Sequence, residues 1–69
     1  MKKYTSVYSF EDAVINLLSD DCVRALENDN RFEKRAIEFI HDYFEQTDDP
    51  SPKEMAKNVE RDFNVYKVI

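Results

Sequence analysis

The chain has 69 residues, carries 15 acidic against 10 basic side chains for a net charge of −5, and contains no glycine. This length allows one domain, which buries only about 60% of the surface its unfolded chain exposes. The lack of glycine excludes Gly-rich phosphate loops, a Rossmann turn, a nucleophile elbow and most tight hairpins, and the acidic balance disfavours a phosphate backbone as partner.

Met1-Lys2-Lys3 leads into TSVYSFED rather than an apolar run, and so does not read as a signal peptide. Lys3 to Tyr8 mixes β-branched and aromatic residues, with Tyr4 and Tyr8 on one side of the alternation, and predicts a short strand. Ser9-Phe10-Glu11-Asp12 reads as a helix start. Ser9 offers an acceptor to the N–H near Asp12, and the two acids suit the positive helix end. Phe10, Ala13, Val14, Leu17 and Leu18 then recur at helical spacing as a core-facing stripe, with Ile15 off it. Ser19-Asp20-Asp21 interrupts that stripe, because each residue prefers a cap or a turn. Cys22, Val23, Ala25 and Leu26 resume it. The pattern predicts a second helix over 20–27, with one kinked helix over 10–28 as the alternative. Asn28-Asp29-Asn30 predicts a turn, with Asp29 or Asn30 as the next N-cap.

Residues 31–46 carry the strongest helical signal. Phe32, Ala36, Ile37, Ile40, Tyr43 and Phe44 form one stripe, widened by Phe39. Glu33, Lys34, Arg35, Glu38, Asp42 and Glu45 lie opposite. Glu38 and Asp42 make a like-charge pair at i, i+4, which costs a few tenths of a kcal/mol. Asp49 is pushed out of helical geometry by Pro50. Ser51-Pro52-Lys53-Glu54 is a second helix start, with proline where its missing N–H costs nothing. Met55, Ala56, Val59 and Phe63 continue the stripe, and Asp62 to Asn64 is expected to end it. Val65-Tyr66-Lys67-Val68-Ile69 predicts a strand from its β-branched content. The tail from Ser51 to Ile69 also resembles, loosely, a helix-turn-helix: a capped helix with an alanine, then a turn, then V-Y-K-V. It has no glycine at the turn and only Lys67 as a base in the second segment, which favours helix followed by strand.

The expected fold class is therefore α+β, predominantly α. Three to four short helices accompany a small β element formed by the N- and C-terminal segments, and the fold is all-α only if those strands prove trivial. The expected core comprises Val7, Phe10, Val14, Leu17, Leu18, Leu26, Phe32, Ile37, Ile40, Phe44, Met55, Val59 and Phe63.

Chemistry-bearing residues are few. Cys22 is the only cysteine and His41 the only histidine, which excludes an intrachain disulfide and falls short of a usual zinc ligand set. The acids lack the D-x-D-x-D-G spacing of a calcium loop. No metal or cofactor is expected. His41 reads as a boundary histidine near Glu38 and Glu45. Cys22 reads as a structural thiol, its pKa raised by Asp20 and Asp21. No apolar run approaches membrane-spanning length, and a lone cysteine fits a cytoplasmic setting. The reading that remains is a small, acidic, non-enzymatic protein-binding module, a regulator or inhibitor of a larger protein, with mimicry of DNA by its acids as one mode. Tyr4, Tyr8, Phe39, Tyr43 and Tyr66 are too many rings for so small a core to enclose, and exposed rings form contact sites. Glu38, Asp42 and Glu45 would steer a partner with a basic surface. Self-association fits the marginal size. The alternative is a DNA-associated dimeric regulator working through the helix-turn-helix-like tail.

Overall fold

A computed structural model describes residues 4–68, with side chains through Tyr66. Four helices follow in order: α1 (Val7–Ile15), α2 (Asp20–Asn28), α3 (Asn30–Gln46) and α4 (Pro52–Val68). Among the described residues there is no strand. The fold is an all-helical small bundle, and the expected α+β class with its terminal β element is corrected.

Neither predicted strand forms among the described residues: residues 4–6 are irregular and lead into α1 at Val7, and residues 65–68 are helix. At the N-terminal end, Ser6 rather than Ser9 is the cap: its backbone is extended and its Oγ accepts from Tyr8 N–H at 3.1 Å. Val7 and Tyr8 are thereby the first residues of α1, and Ser9 lies within it. Lys3 lies outside the described residues. At the other end, α4 does not stop at Asp62–Asn64 but runs on to Val68, and Ile69 lies outside the described residues. The tail is thus one continuous helix with no turn between Pro52 and Val68. Continuation carries Tyr66 along the Met55, Val59 and Phe63 stripe. Its ring stacks on Phe32 at 5.3 Å between centroids, and its hydroxyl donates to Asp29. A lone two-stranded ribbon is marginal in water, so burial of an aromatic ring overrides β propensity at Val65 and Tyr66.

The connections show how a chain without glycine turns. Among the described residues none has positive φ. Each helix junction uses an extended residue instead: Ser19 at φ −67°, ψ 157°, Asp29 at −125°, 104°, and Thr47 at −116°, 126°. Ser19 Oγ accepts from Cys22 N–H, so residues 10–28 form two helices and not one kinked helix. Asp29 alone separates α2 from α3, and its carboxylate accepts from the N–H groups of Arg31 and Phe32 at 3.0 and 3.2 Å. Ser51 caps α4, accepting from Glu54 N–H at 3.3 Å, while its own N–H donates to the Tyr43 hydroxyl at 3.2 Å.

α4 packs on α1 and α3, and α3 also packs on α1 and α2. Phe10, Val14, Cys22, Phe32, Ile40 and Val59 are fully enclosed, with Leu18, Leu26, Ala36, Phe44, Met55, Ala56 and Phe63 around them. Three expected core residues differ. Val7 and Ile37 are half-buried, and Leu17 is 54% exposed. α1 ends at Ile15, so Leu17 leaves the helical stripe that its spacing from Phe10 implied. The body measures 38 × 18 × 16 Å, which leaves room for two helix layers across its short axes.

Candidate functional site

α4 divides its exposed side between two grooves. The larger, about 840 Å³, runs between α4 and the link from α1 to α2. Leu17 and Val65 line it, with Ala56 at its base and Lys53, Lys57 and Arg61 along its rim. These three cations stand at i, i+4 and i+8 of one helix, hence on one face. Among the described residues none of them has a carboxylate within ion-pairing distance. The smaller groove, about 550 Å³, lies between α3 and α4 and is lined by Phe39, Asp42, Tyr43, Met55 and Asp62. Arg61 and Val65 line both grooves and form the ridge between them.

Glu60, the acid in the larger groove, is already committed. Its Oε1 accepts from Ser19 N–H at 2.6 Å and its Oε2 from Ser19 Oγ–H at 3.2 Å, which ties α4 to the start of α2. The same carboxylate lies near Cys22. Burial first, then the negative charge of Glu60 and a hydrogen bond to it, push the Cys22 thiol from an ordinary 9.0 up to about 12. Cys22 therefore stays a thiol through the neutral range, and Glu60 is the acid responsible where the sequence pointed to Asp20 and Asp21. His41 likewise meets an acid from another helix, since its Nε2 lies 2.9 Å from Glu11 Oε2 on α1. A carboxylate only accepts, so Nε2 carries the proton in this arrangement.

The sequence-selected rings separate into two groups. Tyr4 sits edge-on to Phe10, Tyr43 stacks on Phe10, and Tyr66 stacks on Phe32; all three are half-buried against the core. Tyr8, 69% exposed, stands edge-on to His41. Phe39, 47% exposed, lies under the Arg35 guanidinium at 5.9 Å. Arg35 also bonds Asp62 Oδ1 at 3.0 Å, while Asp62 Oδ2 is buried with no hydrogen-bond partner among the described residues. Of the selected set, Phe39, Asp42 and Tyr43 share the α3–α4 groove. Glu38 and Glu45 stand exposed elsewhere on α3, and neither Glu38 nor Asp42 has an ion-pair partner among the described residues. Leu17, Val65, Lys53, Lys57 and Arg61 were not singled out from sequence. Their signal was the K-x3-K-x3-R spacing opposite the apolar stripe, which a helix ending near Asp62 does not join to Val65.

No group of three or more His, Cys, Asp or Glu side chains among the described residues is placed to hold a metal ion. No helix among them is long and apolar enough to cross a membrane. Neither a protein-family model nor a curated protein nor a solved structure matches this chain.

Proposed function

We propose that this protein is a small non-catalytic binding module that docks along α4 onto a larger protein and acts as its regulator or inhibitor. The observation that carries the reading is the pair Leu17 and Val65. Both are more than half exposed, and both line one groove. Phe39 adds a third exposed apolar side chain in the adjoining groove. Apolar surface kept in water costs about 25 cal/mol per Å², so a patch gathered beside a concavity favours cover by a partner.

Lysine-directed cross-linking in the native host tests this reading, because Lys53 and Lys57 lie on the groove rim. The expected result is one protein cross-linked through these lysines, lost when Leu17→Asp is combined with Val65→Asp in a chain that still melts cooperatively. Cross-links that persist undiminished in that double variant would count against docking along α4.

A further inference from the structure

The larger groove has the opposite charge to the chain around it. The protein as a whole is at −5, yet Lys53, Lys57 and Arg61 line this groove against Glu60, the single acid among its described lining residues, whose oxygens accept from Ser19. Like charges at i, i+4 on a helix repel one another by a few tenths of a kcal/mol per pair. Here two such pairs succeed each other, and among the described residues none of the three cations has a carboxylate within ion-pairing distance. We propose that this groove holds an acidic amphipathic helix of a partner protein, its apolar residues between Leu17 and Val65 and its carboxylates against Lys53, Lys57 and Arg61.

The shape favours a helix over an extended peptide. From Lys53 to Val65 the groove follows α4 for a little over three turns, on the order of 18 Å, which matches apolar anchors at i, i+4 and i+7 of an incoming helix. Ala56 at the base is small and lets another helix approach closely. Strand addition needs a free sheet edge, and no strand exists among the described residues. A nucleic acid or an anionic membrane also carries negative charge. Either would present a wide charged surface to the whole molecule, where Glu38, Asp42 and Glu45 on α3 and Asp20 and Asp21 at the start of α2 are exposed and repel it. A short acidic helix seated in the groove meets only the local positive charge.

This proposal rests on the binding-module reading, and its test separates the two. The probe is a 14-residue capped peptide of leucine, alanine and glutamate, about 21 Å long as a helix, with leucines on one face. It is titrated into the isotope-labelled full chain to about 1 mM. The expected result is chemical-shift change centred on Leu17, Lys57 and Val65, weakened by added salt, and weakened about tenfold or more in Lys53→Glu/Lys57→Glu/Arg61→Glu. Leu17→Ala should weaken it without loss of fold, which keeps the test independent of the charge-reversal variant. The proposal is overturned if no shift appears, if a peptide with lysine replacing glutamate binds as well, or if charge reversal leaves the affinity unchanged. It is also overturned if mixed duplex DNA, phosphatidylserine vesicles or a second copy of the chain takes the groove in preference. If any of these occurs while cross-linking through Lys53 and Lys57 still depends on Leu17 and Val65, the binding module stands and only the acidic helix falls.

Discussion

Replacing Glu60 with alanine removes a side chain that fastens α4 to the start of α2. Two hydrogen bonds from Ser19, at 2.6 and 3.2 Å, lose their acceptor. Bonds to an ionised group contribute about 1.5–3 kcal/mol when shielded, but the Ser19 end is exposed and water replaces part of the loss. The expected destabilisation is therefore about 1–2 kcal/mol. For a domain of this size that lowers the melting temperature by roughly 5–15 °C, read by far-ultraviolet circular dichroism. Cys22 supplies a second readout from the same variant. It sits in the first turn of α2, fully enclosed, so a disulfide reagent reaches it only when α2 opens. A loss of about 1–2 kcal/mol raises the open fraction by roughly 5- to 30-fold, and the native-state reaction rate with it. Glu60→Gln keeps one oxygen acceptor and should fall between the two. A Glu60→Ala chain that melts with wild type and whose Cys22 reacts no faster would refute the α4–α2 tie.

Three further outcomes follow from the same geometry. Because Cys22 titrates near 12 when folded against an ordinary 9.0, the unfolded chain releases a proton that the folded chain keeps between those values. Stability from this source is complete below about pH 9 and falls by up to about 1.4 kcal/mol per pH unit above it, so denaturant titrations of wild type and Cys22→Ala should converge as pH rises into that window. A chain ending at Phe63 removes the Tyr66 ring from Phe32 and the last turn of α4, and should lose both helicity and melting temperature in a dichroism scan; unchanged helicity would mean the tail is not helix. His41→Gln keeps a donor for Glu11 at a part-buried contact whose loss as an ion pair costs about 1 kcal/mol, so its melting midpoint should stay within about 8 °C of wild type.

Much of the bundle is legible in the sequence where local chemistry and burial agree. Ser19 and Asp29 are N-caps by side-chain chemistry, and Phe32, Ile40 and Phe44 recur on one face of α3, so α2 and α3 read correctly from sequence. The ends do not. Lys3–Tyr8 and Val65–Ile69 carry β-branched and aromatic residues, and local propensity points to strand. What decides Val65 and Tyr66 is a ring, Phe32, more than thirty positions away, together with the Asp29 carboxylate, neither visible to a local pattern. The local pattern points to Ser9 as the cap because acids follow it, although Ser6 supplies the same acceptor one turn earlier. The candidate site was hidden for the same reason. The spacing of Lys53, Lys57 and Arg61 is plain, but Val65 joins that face only if α4 continues, and Leu17 is exposed only because α1 stops at Ile15. The burial of Cys22 and the boundary position of His41 are legible in the sequence, yet their polar partners, Glu60 and Glu11, come from other helices.

The Val65 side of the groove and the stacking of Tyr66 on Phe32 both depend on α4 remaining helical past Asn64. Backbone chemical shifts and nuclear Overhauser contacts across Phe63–Tyr66 measure this directly. The expected result is helical Cα shifts, strong sequential amide–amide contacts, and cross-peaks between the Tyr66 and Phe32 rings. Extended-backbone shifts with strong Hα–amide contacts from Val65 onward, and no Tyr66–Phe32 cross-peak, would contradict it.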